Sequence, residues 1–318
     1  MKLSNTLKKL LTLATTTAIT LYLLYKVHSE ASEIHLSPER LLSPYFFGAL
    51  TSGLLGYLTY TLVWYIYIKN VADVTYRRVL LTNLAGTYLS FSLNPTLGTL
   101  VKVKFIGASY WDILATTVLG IITEFTAGLT LITLLGGEFW GIILAGIIFL
   151  PVIFDEWTYR ILMPIFHLVH REKILEGLHS GWKSAKAHPQ TLPLAMVLGT
   201  ALVILNSTTL YLVARTFGFN PGFLTTLKGI LYSNFLGGAL GTPGGVGANE
   251  LGVVMAIGRS GRDVVVAFLY KLINQYIYAL IGAVAFYKFV LGEIGEDSRD
   301  VTDKDPGEGY ARQDHRRN

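Results

Sequence analysis

Long apolar runs alternate with short, mostly basic connections along most of the chain. The first run, residues 10–25, follows Lys2, Lys8 and Lys9. It exceeds the ~7–15 apolar residues of a signal peptide, and HSEAS beyond it is a poor cleavage sequence, so it predicts a retained span. Residues 45–68 predict a second span, which ends at Lys69, Arg77 and Arg78. Residues 111–135, 191–214 and 264–291 each reach the ~20 residues needed to cross a bilayer. Residues 139–154 predict a shorter span after the Gly136-Gly137 turn. Lys and Arg gather on the cytoplasmic side of membrane helices. By that rule the N-terminus, the 155–190 connection (Arg160, Arg171, Lys173, Lys183, Lys186) and the C-terminus are expected in the cytoplasm. Within 155–190, Ile161, Leu162, Ile165, Phe166, Val169, Leu178 and Trp182 approximate helical spacing, which predicts an interfacial helix on the membrane surface.

Two regions break this pattern. One reads TNLAGTYLSFSLNPTLG (82–98), the other SNFLGGALGTPGGVG (233–247). Each opens with a small hydroxyl residue and an Asn (Thr82-Asn83, Ser233-Asn234) and runs to a Pro (95, 243) and then a Gly (98, 247). Counting spans places the first on the cytoplasmic side and the second outside. Paired interruptions in opposite halves predict an inverted repeat, the arrangement in which discontinuous helices build a substrate site. Backbone groups facing lipid must be hydrogen-bonded, so such breaks survive only beside protein or water. Pro243 lacks an N–H and ends a helix. Gly244, Gly245 and Gly247 allow positive φ and close approach. Ala248, Asn249 and Glu250 then start a half-helix whose N-terminal amides favour an anion.

Composition sharpens the class. Of 318 residues 52% are hydrophobic and 15% charged, against about 25% charged in soluble domains, and the mean hydropathy is +0.48. The expected fold is all-α: a polytopic integral membrane protein of about 6–8 transmembrane helices, two of them broken or re-entrant. Residues 1–291 form one transmembrane domain, and the polar residues 292–318 are expected to be a disordered tail. The chain has no cysteine, which excludes disulfides, thiolate metal sites and cysteine nucleophiles. The net charge of +5 is accounted for by membrane topology and does not imply nucleic acid.

Charged residues inside spans carry the candidate chemistry, because a charge at the bilayer centre must find a partner. Glu124 lies in the middle of 111–135 and Lys271 inside the last span, beside Tyr270. They could pair with each other, or serve a head group or proton coupling. Asn274, Gln275 and Tyr276 can bond helix to helix. Lys102, after Asn94, Pro95 and Gly98, suits a lipid phosphate; Lys104 reads as an ordinary topology residue. His167 and His170, with His179 further on, supply no convincing metal ligand set. No metal, cofactor or catalytic residue is assigned.

The stretch Pro243-Gly244-Gly245-Val246-Gly247-Ala248-Asn249-Glu250 resembles the P-G-G-L-G-x-x-E signature of the lysylphosphatidylglycerol synthase transmembrane family, a flippase-like domain. Asn94-Pro95, Gly98 and Lys102 resemble its first Pro/Gly break and the basic residue after it. Glu124 matches its acidic position, and Tyr270-Lys271 matches an aromatic-basic pair. Asn249 and Phe125 stand where that family often has Arg, and the first break lacks the usual Gly after Pro. The resemblance covers roughly residues 8–291 and implies translocation of a polar or charged lipid head group, with membrane lipids, anionic or glycosylated, as partners. It implies a head-group site built from Asn94, Pro95, Gly98, Lys102, Glu124, Asn234, Pro243, Gly244, Gly245, Gly247, Asn249, Glu250, Tyr270 and Lys271. The family's soluble aminoacyl-transferase is not expected, since 155–190 falls short of the ~100 residues a catalytic domain needs. The expectation is therefore a multi-pass cell-membrane lipid translocase and not an enzyme, with a homo-oligomer left open. A membrane-embedded lipid-modifying enzyme component and an ion-coupled transporter of a small solute remain the alternatives.

Overall fold

A computed structural model describes residues 38–92, 95–239, 247–258 and 261–302. The first apolar run, Asn94, Pro243, Gly244, Gly245 and the last residues of the chain lie outside them. Every regular element in the described residues is helical. After a single turn at Pro38–Leu41 the helices are α1 (Pro44–Ile68), α2 (Tyr76–Ser92), α3 (Pro95–Ile106), α4 (Tyr110–Gly136), α5 (Phe139–Ile153), α6 (Asp155–Leu168), α7 (Glu172–Ala185), α8 (Thr191–Thr216), α9 (Phe223–Ala239), α10 (Ala248–Ile257), α11 (Gly261–Lys271) and α12 (Ile277–Thr302). A single π turn, Leu272–Tyr276, joins the last two.

Among the described residues four helical stretches are long and apolar enough to cross a membrane: α1, α4, α8 and the composite Asp263–Phe289. Their ends follow local chemistry. Ser43 caps α1, its Oγ accepting the Phe46 N–H at 3.2 Å, with Pro44 at the first helical position. Proline is at home there, where its missing N–H would go unused. Ser109 caps α4 through the Asp112 N–H at 3.1 Å. Gly137, at φ +67°, ends α4 in the left-handed region that glycine adopts without strain. Three hydroxyls of α4 find acceptors inside the helix. Thr117, Thr123 and Thr130 donate to Ile113, Leu119 and Thr126 carbonyls at 2.7–2.8 Å, so their polar groups do not face lipid unpaired.

The interfacial region differs from the single helix expected over 155–190. It contains two helices, α6 and α7, separated near His170 at φ +54°. A 91° bend separates α6 from α5. No residue of α6 is buried, and Trp157, Ile161, Ile165 and Leu168 are exposed. That apolar face fits a helix lying on a bilayer surface. By contrast α7 packs on α4, where Gly177 and Gly181 give way to Trp111. Ion pairs tie the start of α6 to α7: Asp155 with Lys186 at 2.8 Å, and Glu156 with Lys183. The hydrogen bond from Lys183 holds the Glu156 carboxyl below the usual carboxylate range. His179 stacks on Tyr159 at 4.4 Å beside Asp155, and His167 meets Glu172 at 2.7 Å. The histidines singled out in the sequence thus have local roles. The last helix continues to Thr302, past the end of the apolar run at 291.

The two broken regions each form a helical hairpin, α2–α3 and α9–α10. Both are closed by glycines on facing arms. In the first, a Cβ on Gly98 would lie 1.9 Å from Ser90 Oγ and 2.5 Å from the Gly86 carbonyl. In the second, a Cβ on Gly237 would lie 1.9 Å from Asn249 Oδ1, and one on Gly252 would lie 2.4 Å from the Ser233 backbone N. Small residues let helix backbones approach where lipid offers no hydrophobic drive to pack. Pro95 begins α3 and needs no N–H there. The first hairpin packs on α12, where Gly282 would bring a Cβ within 2.1 Å of the Leu84 carbonyl. The second packs on α8, and α1 runs along α8. Gly98→Val is expected to lower stability by about 1–3 kcal/mol, the usual cost of overpacking. A drop in the melting temperature in detergent checks this; an unchanged value would mean that the first hairpin is looser than described.

Candidate functional site

A cavity of about 640 Å³ lies where α1, α4, α8, both hairpins and the π turn meet. From the first hairpin its wall takes Thr87, Ser90, Phe91, Thr99 and Lys102, and from the second Asn234, Phe235, Gly237 and Asn249. Tyr57 and Tyr60 enter from α1, Glu124 and Ile121 from α4, and Asn206 from α8. Tyr270, Lys271, Asn274 and Gln275 close it at the end of α11 and the π turn. A π turn adds a residue within one turn and is frequent at functional sites. Here it sits where the chain turns four polar or aromatic side chains inward.

Amide side chains bind the wall together. Asn234 Nδ2 donates to Glu124 Oε1 at 2.8 Å, joining α9 to α4. Asn274 Nδ2 donates to Asn206 Oδ1 at 3.2 Å, joining the π turn to α8. Asn249 Nδ2 reaches Gln275 Oε1 at 3.4 Å, joining α10 to the π turn. Each bond spans two elements, so the cavity's shape depends on the whole bundle.

The two cations are held differently. Lys102 is 8% exposed, and its Nζ lies 4.4 Å from the Trp64 ring centroid, a cation–π distance. Trp64 Nε1 in turn donates to Thr116 Oγ1 at 3.2 Å. Gly86 makes room for the lysine: a Cβ there would lie 2.8 Å from Lys102 Cε. Lys271 is 1% exposed, with its Nζ 5.4 Å from the Tyr270 ring centroid. Among the described residues neither ammonium has an ion pair or a hydrogen bond. Glu124 and Lys271 face the same cavity without forming the ion pair that their sequence positions allow.

Of the residues named from sequence, Lys102, Glu124, Asn234, Asn249, Tyr270 and Lys271 come together in the wall. Gly98 lies behind it, packed against Ser90 and Gly86. Glu250 also lies outside the wall. Its carboxylate accepts the Gly247 N–H at 2.7 Å and the Tyr276 hydroxyl, so it caps α10 and ties it to the π turn. Gly247 is exposed at φ +82°, and no described atom lies within 4 Å of its would-be Cβ. Its positive φ is a backbone conformation that favours glycine. Tyr57, Thr87, Ser90 and Asn206 line the cavity without having been named from sequence, and Asn274 and Gln275, read there as helix-to-helix bonds, line it as well. The signal for Asn206 was present, an amide in mid-span, but which side of α8 it faces depends on its neighbours.

The fold and cavity define a polytopic α-helical membrane protein with an internal chamber, lined in part by polar and charged side chains, between two helical hairpins. Residues 10–282 match the family described as Lysylphosphatidylglycerol synthase TM region, and the chain belongs to that family. No curated protein and no solved structure was found to match it. Membership associates the protein with lipid handling.

Proposed function

We propose that this protein is a lipid translocase that passes a polar or charged head group through the cavity while the acyl chains stay in the bilayer. One observation carries the reading. The wall carries polar and charged side chains among apolar ones, and two of the apolar members, Ile121 and Phe235, are 47% and 62% exposed. Ile121 stands near the middle of α4, hence near the bilayer centre for a helix of this length. A chamber that offers charged groups and exposed apolar side chains together at that depth suits an amphiphile entering sideways. A soluble solute would need a mouth facing water. The lipid-modifying alternative needs paired carboxylates or a nucleophile facing one space. Of the two candidate carboxylates Glu124 faces the cavity, and Glu250 is committed to Gly247 and Tyr276. On this reading the protein is not itself an enzyme, the two hairpins are re-entrant halves of an inverted repeat, and it works in the cell membrane with both termini in the cytoplasm.

Reconstitution into vesicles that carry a fluorescent lipid in both leaflets tests the activity. An impermeant quencher should remove about half of the signal without protein, and most of it with protein. Equal quenching in both would refute translocation. Orientation is tested separately in this cysteine-free chain. Asn220→Cys, just past α8, should react with an impermeant maleimide on intact cells, and Ser184→Cys, before α8, should not. The reverse pattern would invert the topology.

A further inference from the structure

The charges that face the cavity do not cancel. Lys102 comes from α3, Glu124 from α4 and Lys271 from the end of α11, giving two ammonium groups to one carboxylate. Glu124 already has an amide donor in Asn234. Glu250, close enough to act on Lys271, directs its carboxylate to the Gly247 amide and the Tyr276 hydroxyl and lies outside the wall. Each ammonium carries three N–H donors and no acceptor. Among the described residues, none of these donors has a protein acceptor. A buried charge without a counter-charge is strongly disfavoured, and inside a membrane it marks a functional site. The wall therefore carries more positive than negative charge, and among the described residues its two ammonium groups have no carboxylate bound to them.

The complement of that surplus is an oxyanion with several oxygens, which two cations on different helices can hold together. Phosphate fits better than a carboxylate, because its non-bridging oxygens point in more than one direction. Resting on the translocase reading, we propose that the cavity selects lipids whose phosphate head group carries net negative charge, with Lys102 and Lys271 as ligands to the phosphate oxygens. A zwitterionic head group brings its own amine to the phosphate and gains less from a site that is itself positive. A free phosphate ion shares the oxyanion chemistry but has no chains to cover the exposed apolar side chains of Ile121 and Phe235.

Two measurements test this. The first compares translocation of fluorescent phosphatidylglycerol and phosphatidylcholine in vesicles containing wild type, Lys102→Gln or Lys271→Gln. Wild type should move phosphatidylglycerol several-fold faster. Each variant should slow it by about tenfold or more, the usual effect of removing a buried charge partner, and slow phosphatidylcholine less, so that the preference for phosphatidylglycerol falls. Variants that keep the wild-type ratio would overturn the proposal. The second measures melting in detergent with short-chain phosphatidic acid, short-chain phosphatidylcholine or inorganic phosphate. Phosphatidic acid should raise the melting temperature of wild type most and that of either variant least. Without lipid both variants should melt at or above the wild-type temperature, because each loses an uncompensated charge. An equal rise with inorganic phosphate would overturn the lipid assignment, and no rise with phosphatidic acid would overturn the anion site. If phosphatidic acid protects in a lysine-dependent way while wild type moves no lipid at all, the anion site stands and translocation fails.

Discussion

Gly252→Ala is expected to cost the protein its second hairpin. An exposed helical Gly→Ala change ordinarily gains up to about 1 kcal/mol, so the sign alone is diagnostic. At Gly252 the added Cβ would sit 2.4 Å from the Ser233 nitrogen and 2.5 Å from the Tyr232 carbonyl carbon and oxygen. All three are backbone atoms, so no side-chain rotation relieves the clash. The arms of α9 and α10 must separate, and α10 is short, only Ala248–Ile257. Its other anchors are the Glu250 cap and the bond from Asn249 to Gln275. Overpacking a tight contact costs about 1–3 kcal/mol; with no flexible atom to yield, the upper part of that range is expected. Gly238→Ala is the control. No described atom lies within 4 Å of its would-be Cβ, and Gly238 is exposed near the end of α9. Thermal melting monitored by size-exclusion chromatography should show Gly252→Ala well below wild type and Gly238→Ala at or above it. Equal melting of the two would mean that the hairpin arms are not in contact as described.

The second large effect concerns Asn234. Removing its amide in Asn234→Leu takes from the Glu124 carboxylate its donor at 2.8 Å and leaves Asn206 beside it, so that part of the acceptor capacity goes unmet. An unsatisfied buried acceptor costs about 1–3 kcal/mol, and more when it is charged. Asn234→Leu should therefore destabilise strongly, and adding Glu124→Leu should recover part of the loss, because an apolar pair needs no hydrogen bond. The double-mutant cycle should give a coupling of about 1.5–3 kcal/mol, the range for hydrogen bonds to charged groups. The same cycle for Glu124 and Lys271 should give a smaller value, since no ion pair joins them. A larger coupling for Glu124 with Lys271 than with Asn234 would sink the described arrangement of the cavity. Glu124→Gln keeps a polar group of the same size at that position. It should retain most of the stability while slowing lipid translocation, if the carboxylate meets the head group.

Much of this was legible in the sequence because the bilayer imposes length and polarity rules on a chain. Apolar runs at 45–68, 111–135, 191–214 and 264–291 sit within α1, α4, α8 and the last helical stretch, since about 20 apolar residues have few other stable uses. Pro95 and the flanking glycines marked the interrupted elements, because proline ends a helix and glycine permits what other residues resist. Glu124 and Lys271 could be singled out because a charge inside a span is too costly to be accidental, and Lys102 because it follows the Pro95–Gly98 break.

What only the tertiary structure decided was which side of each helix faces which neighbour. Periodicity gives little help here, since helices buried in a bundle and bathed in lipid are apolar nearly all round. Asn206, Asn274 and Gln275 therefore became cavity residues only once α8 and the π turn were placed against α4 and the second hairpin. The same holds for Glu250, whose partners are the amide of Gly247 three residues earlier and the hydroxyl of Tyr276 on another element. Glu124 met Asn234, 110 residues away in the chain, and not Lys271. The membrane dictates through the sequence which segments cross and which residues are too polar to be idle; partner choice among those residues is a matter of packing, which the close glycine contacts of the two hairpins decide.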